Sequence, residues 1–165
     1  MNKHNNLFHN YMQTAINIAK KNTTLRTQND KECEIPVGCV IVDDMSGKIL
    51  AKSCNKTRKT NNPLQHAEII CINKALKKIK NNRLSHCSMY ITLEPCKMCA
   101  GAISLAKVDK LYIGCLSSKT GHIVSNAFLQ TEKTNHQPEI YYPVMENECK
   151  NIIRSFFRNT KIDNN

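Results

Sequence analysis

The chain has 165 residues, 24 Lys and Arg against 13 Asp and Glu, a net charge of +11 and 41% hydrophobic residues. That length fits one domain over 1–165, with a core from about 7 to about 158 and polar tails, and no apolar run approaches the ~18–20 residues of a membrane-spanning helix, which excludes a transmembrane protein. Nine cysteines are an odd number, most of them alone in apolar runs, and the polar start Met1-Asn2-Lys3-His4 is unlike a secretory signal, so they read as reduced thiols in a cytoplasmic protein with no membrane partner.

Phe8, Met12, Ala15, Ile16 and Ala19 recur every three to four residues and predict a first helix ending near Lys21, followed by a polar loop over 23–34. The nearly continuous apolar run 35–42 reads as a strand covered on both faces, and Asp43-Asp44-Met45-Ser46-Gly47 turns it into a second strand at 48–51. After the stop at Asn61-Asn62-Pro63, the residues Ala67, Ile70, Ile72, Ala75 and Ile79 predict a long helix. A strand follows at 89–93, and Pro95 fits the first turn of a helix running to about Ala106. Then come a strand at 110–115, a loop with Gly and Ser, a short strand at 139–142 and a final helix over about 147–158. A helix, a hairpin and then alternating helix and strand predict an α/β fold with helices on the faces of a central sheet.

The positive charge gathers at Lys52, Lys56, Arg58 and Lys59, at Lys74, Lys77, Lys78, Lys80 and Arg83, and at Lys150, Arg154, Arg158 and Lys161. Cations in such numbers attract polyanions and gain affinity by releasing counterions from phosphates, which makes nucleic acid the natural partner class. A solvated surface in a Lys- and Asn-rich chain accounts for the charge about equally well.

Chemistry concentrates in His66-Ala67-Glu68, at the start of the second predicted helix, and Pro95-Cys96-Lys97-Met98-Cys99, at the start of the third. Cysteines three apart on a helix share a face, and a helix N-terminus favours thiolate over thiol. With His66 they make a His-Cys-Cys set for zinc that leaves a fourth tetrahedral position to water, as in a catalytic site. Glu68 beside it would carry protons, because zinc brings the pKa of its water to about 7. The alternatives are a redox Cys-x-x-Cys pair, or a structural zinc whose fourth ligand is Cys87 or His122. The order His-x-Glu then Pro-Cys-x-x-Cys is the signature of zinc-dependent deaminases, in which the Glu is the general acid and base and not a ligand.

Over about 7–158 the chain resembles the bacterial tRNA adenosine deaminases, within the cytidine-deaminase-like superfamily. The resemblance rests on Ile35-Pro36-Val37-Gly38, Asn55, Asn62-Pro63 with His66-Ala67-Glu68, and the run from Thr92-Leu93-Glu94-Pro95-Cys96 to Cys99-Ala100-Gly101-Ala102. Further matches are Gly114, Lys119-Thr120-Gly121, Asn135-His136, Glu148-Cys149 and Phe156-Phe157-Arg158. It implies a three-layer α/β/α fold with a mixed sheet of about five strands, and one zinc per subunit on His66, Cys96 and Cys99, with Glu68 shuttling protons. It also implies hydrolysis of the wobble adenosine of a tRNA anticodon stem-loop to inosine and ammonia, by a homodimer that shapes its RNA groove from both subunits. Asn55 and the Ala67 backbone match positions that contact the target base. Lys119, Asn135 and Phe157 match positions near the anticodon loop, where a cation, an amide and an aromatic face suit phosphate, base edge and stacking. Phe157 fits equally an apolar helix face with Ile152, Ile153 and Phe156.

The chain departs from the family at Leu116-Ser117-Ser118-Lys119, where an Arg-Asp pair usually precedes the lysine, at Val124 in place of a frequent second glycine, and at Leu64-Gln65 before the histidine. Two rival readings remain: a deaminase of a free base or nucleotide of guanine or cytosine type, and a zinc-stabilised RNA-binding module without catalysis.

Overall fold

In the computed structural model, which describes residues 3–24, 33–126, 134 and 136–162, five strands form one mixed sheet. They are β1 (Gly38–Asp43), β2 (Ile49–Cys54), β3 (Cys87–Leu93), β4 (Lys110–Cys115) and β5 (Glu139–Tyr141), in the order β2-β1-β3-β4-β5. β1 runs antiparallel to β2 and β3, whereas β3, β4 and β5 are parallel neighbours. The helices are α1 (Lys3–Thr24), α2 (Ala67–Ile79), α3 (Lys97–Leu105) and α4 (Glu146–Ile162).

The core divides across the sheet. On one face, Ala67, Cys71, Ile72 and Ala75 of α2 and Ala100 and Ile103 of α3 pack on Cys39, Ile41, Met89, Ile91 and Ile113. On the other, Met12, Ala15, Ile16 and Ala19 of α1 and Cys149 and Ile152 of α4 pack on Val40, Val42, Tyr90 and Tyr112. This is the expected three-layer α/β/α architecture. Neighbouring strand residues such as Val40 and Ile41 serve opposite cores, so every residue from Gly38 to Val42 is buried, as the unbroken apolar run required.

Several boundaries differ from the periodicity reading: α1, β2 and α4 run on to Thr24, Cys54 and Ile162, and two further differences have a local cause. β1 begins at Gly38 and not at Ile35, because Pro36 has no N–H to give and the Val37 N–H turns back to the Ile35 carbonyl (2.9 Å). Pro95 lies outside α3: Cys96 is the N-cap and Lys97 the first helical residue, while the Pro95 carbonyl accepts the His122 N–H (3.0 Å).

Gly38 marks a close crossing of α1 over the start of β1, since a Cβ there would fall on the Ala15 carbonyl oxygen, a backbone atom that cannot swing aside. Gly38→Ala is therefore expected to cost about 1–3 kcal/mol, the range for overpacking. Thermal unfolding checks this, and an unchanged Tm contradicts the close crossing.

Candidate active site and metal centre

The N-termini of α2 and α3 come together beside the C-terminal end of β3, where open α/β sheets place their ligands. His66 is the N-cap of α2 and Cys96 the N-cap of α3, and neither side chain is spent on capping its own helix. Cys99 follows one turn into α3 and is fully buried, whereas His66 and Cys96 are half-buried. His66 Nδ1 lies 3.7 Å from Cys96 Sγ and 3.6 Å from Cys99 Sγ, and the three donor atoms all fall within 4.8 Å of one another. A tetrahedral zinc with Zn–S near ~2.3 Å and Zn–N near ~2.0–2.1 Å has N···S edges of about 3.5–3.6 Å, so the spacing fits that ion.

The donor chemistry fits as well. A hydrogen bond from the Cys99 thiol, helped by His66 and the Cys99 N–H, outweighs burial and holds the Cys96 thiol at a pKa of about 4. The same hydrogen bond to Cys96, with burial and the Glu68 charge, pushes Cys99 up, and the contact with Cys96 raises His66. The protein alone thus stabilises one thiolate; a divalent cation held by the trio would supply the charge for the second.

All nine cysteines are free. The redox-pair reading loses ground because His66 stands equally close to both sulfurs. The structural-zinc reading loses its fourth ligand: Cys87 donates to the Ser85 carbonyl, the His122 ring lies beside Asn126, and among the described residues only His66, Cys96 and Cys99 form a metal-capable group.

A pocket of about 190 Å³ opens on this cluster, with Asn55, Thr57, Glu68 and Thr120 in its wall beside His66 and Cys96. Larger open clefts of about 550 and 510 Å³ lie elsewhere, but neither contains the donor trio. Glu68, the second residue of α2, is 4% exposed, and burial raises its pKa against the pull of its own N–H and His66. A carboxyl so placed holds its proton more tightly than an exposed one, which suits a group that takes up a proton and passes it on. Asn55 ties three segments together: its Oδ1 accepts the Ala67 N–H (2.9 Å) and its Nδ2 donates to the Ile35 carbonyl (3.1 Å). The Ala67 N–H is therefore engaged by Asn55.

The remaining predicted residues are spread more widely. Lys119 sits in an exposed turn next to Thr120 of the pocket wall. On α4, Phe156 is 8% exposed and belongs to the interior, while Phe157 is 47% exposed and meets Phe156 edge-on at 5.2 Å, so the two aromatics divide the readings between them. One turn before Phe157, Ile153 and Arg154, and two turns before it Lys150, border a cleft with Leu116 and Ser118, and Leu93 lines both this cleft and the pocket. Asn135 lies outside the described residues. Ser117, at the departure from the family pattern, closes its turn through Thr120 Oγ1 (2.9 Å).

Two buried carboxylates escape sequence reasoning. Glu94, 3% exposed, accepts the N–H groups of Ser117 (3.1 Å), Ile123 (3.1 Å), Val124 (2.7 Å) and Ser125 (2.8 Å) and the Ser125 hydroxyl (2.6 Å). Burial opposes its ionisation, but the Ser125 hydroxyl and these N–H groups prevail and lower its pKa. Gly121 is required because a Cβ there would strike this carboxylate. Glu34, also 3% exposed, holds the other wall through Thr57 Oγ1 (2.9 Å) and the N–H groups of Arg58 (2.7 Å) and Lys59 (3.0 Å). Glu94→Gln turns an amide donor toward a ring of donors. It is expected to cost about 1–3 kcal/mol and to leave zinc bound; an unchanged Tm contradicts the role of Glu94 as the hub of this loop.

Residues 6–115 match the family described as the cytidine and deoxycytidylate deaminase zinc-binding region. The tRNA-specific adenosine deaminase of Rickettsia bellii is 42% identical over 126 residues, 76% of this chain and 87% of the relative. That of Bacillus subtilis is 37% identical over 150 residues, 90% of this chain and 87% of the relative. A solved tRNA:A34 deaminase, studied for A-to-I editing at the wobble position, superposes with a TM-score of 0.77 at 35% identity, covering 87% of this chain and 98% of that one. A guanine deaminase from Nitrosomonas europaea, at 17% identity and a TM-score of 0.74 over 90% of this chain and 83% of that one, shares the fold. With a zinc-sized donor trio, a buried carboxylate beside it and this degree of likeness along most of its length, the chain belongs to the zinc-binding cytidine and deoxycytidylate deaminase family, in its tRNA-specific adenosine deaminase branch.

Proposed function

We propose that the protein hydrolyses the wobble adenosine of a tRNA anticodon stem-loop to inosine, releasing ammonia, with one zinc per subunit held by His66, Cys96 and Cys99. The observation that carries the reading is the three-donor cluster, facing a pocket of about 190 Å³ with buried Glu68 in its wall. That volume is below the ~300–1,000 Å³ of sites for drug-sized ligands and suits a single base turned out of its strand. The tRNA-specific relatives and the net charge of +11 support an RNA substrate.

Zinc, when bound, supplies the Lewis acidity that lets water attack at neutral pH. Glu68 takes a proton from that water, gives it to N1 of the adenine ring and serves again as the amino group leaves as ammonia. One water is consumed, and the C6 amino group is exchanged for oxygen. Asn55 fixes the start of α2, and so His66 and Glu68, against the Ile35 segment. Glu94 and Glu34 hold the two loops that bring Thr120 and Thr57 to the pocket.

Lys119, Asn135 and Phe157 are proposed to meet the anticodon loop, and the exposure of Phe157 on the α4 side near Lys150 and Arg154 supports stacking there. A homodimer is supported by the outer face of α3, where Leu105 is 71% exposed and a Cβ on Gly101 would meet only open space. We place the protein in the cytoplasm as a single domain over 1–165. No helix among the described residues is long and apolar enough to cross a membrane.

The test is turnover of zinc-loaded protein on tRNA with a wobble adenosine, beside free adenosine, guanine and cytidine, over a range of salt. The proposal expects inosine from tRNA alone, with activity falling as salt rises. Ammonia from a free base with little dependence on salt would replace it with the small-molecule deaminase.

A further inference from the structure

β2 is an edge strand, and a bare edge offers its backbone groups to any strand that approaches. Here α2 covers it with ammonium groups: Lys74 Nζ donates to the Lys52 carbonyl (3.4 Å) and Lys78 Nζ to the Ile49 carbonyl (3.1 Å). The two lysines stand one helical turn apart on the same face. Each ammonium has three N–H donors, so the one held by a carbonyl leaves two for a further acceptor, on a head already fixed in place.

The exposed side chain of Lys52 projects from the same strand. At its far end the Cys54 thiol, whose pKa burial raises, feels Lys56, Lys74 and Lys59 together, and the next residue, Asn55, is already pocket wall. At the hairpin turn that leads into β2, the acids Asp43 and Asp44 are engaged, Asp43 by the Met45 N–H and the Ser46 hydroxyl and Asp44 by the Ser88 hydroxyl and Lys110. Between residues 45 and 93 the sequence has ten Lys and Arg and one acidic residue, Glu68, which is buried. Glu34, which also acts on Cys54, is buried and occupied by Thr57 and the backbone of Arg58 and Lys59.

We infer that Lys74 and Lys78, with Lys52 and Lys56, form a second RNA-binding surface, which holds phosphates of the same tRNA outside its anticodon loop while the pocket holds the base. The inference rests on the tRNA reading above. From Cys54 to Ile49 the strand extends about 17 Å, taking ~3.4 Å per residue, so the row carries contacts well beyond one turned-out base. Its chemistry fits a polyanion and not a pairing protein strand, because two edge carbonyls are taken by ammonium groups and the row exposes charge.

The test is the salt dependence of binding between the full zinc-loaded chain and a full-length tRNA with a wobble adenosine. In Lys74→Gln/Lys78→Gln the slope of log affinity against log salt is expected to become shallower by about 1.5, two phosphate contacts at about 0.7–0.9 each. Lys74→Arg/Lys78→Arg, which keeps the charge, is expected to keep the slope. So is Lys20→Gln/Lys21→Gln on α1, across the sheet. A wild-type slope in the Gln variant, or an equal loss in the Gln and Arg variants, overturns the inference and leaves these lysines as guards of the strand edge. Wild-type protein that binds tRNA without salt dependence overturns the tRNA reading itself.

Discussion

Replacing Glu68 with alanine is expected to leave zinc and fold in place and to lower turnover on tRNA by at least about 10²–10⁴, the contribution of general acid–base catalysis. The separation of the two effects follows from the geometry. His66, Cys96 and Cys99 form the metal-capable trio without Glu68, so the substitution removes no donor from it. Glu68 is 4% exposed at the second position of α2, where alanine is a good helix former. What disappears is the proton carrier: burial keeps this carboxyl's pKa raised, nearer the range in which it gives a proton back as readily as it takes one. Glu68→Gln, which keeps the shape, is expected to be equally impaired. Either variant with turnover within tenfold of wild type contradicts the assigned role, and a variant that loses its zinc assigns Glu68 to the metal instead.

Cys96→Ser and His66→Ala are expected to lose both zinc and activity. Serine nearly matches cysteine in size, but its hydroxyl stays protonated at neutral pH, whereas the Cys96 thiol ionises at about 4. Removing either group breaks a trio whose donors stand 3.6–3.7 Å from His66 Nδ1 and leaves two ligands, too few for a zinc site. Binding energy for the native site is also folding energy, so a chelator should lower the Tm of wild type, and added zinc should restore it. Elemental analysis after dialysis decides the matter: a full zinc equivalent in either variant contradicts the ligand set.

The existence and order of the elements were legible because each follows from a local pattern. The 3–4 spacing of Met12, Ala15, Ile16 and Ala19 needs only one face of one helix to be buried, and all four are fully buried. The donor trio was legible for another reason: three reactive residue types flank two helix starts, a coincidence that composition does not produce. What escaped were contacts between side chain and backbone across long separations. Glu94 reaches residues 23 to 31 positions away and Glu34 residues 23 to 25 away, and such bonds leave no periodic trace in either partner. The division between Phe156 and Phe157 was equally hidden, since neighbouring residues on a helix differ in direction by about 100° and only packing decides which one faces inward. Pro95 misled for a similar reason: its fixed φ suits a first helical turn as well as the lead-in to a cap, and the cap went to Cys96.

The most direct test is to incubate a tRNA bearing adenosine at the wobble position with zinc-loaded wild-type protein and, in parallel, with zinc-loaded Glu68→Ala, and to sequence the anticodon loop. Inosine at the wobble position alone, with wild type and not with the variant, is the expected result. No inosine with wild type, inosine at other loop adenosines, or equal conversion by the variant would contradict it.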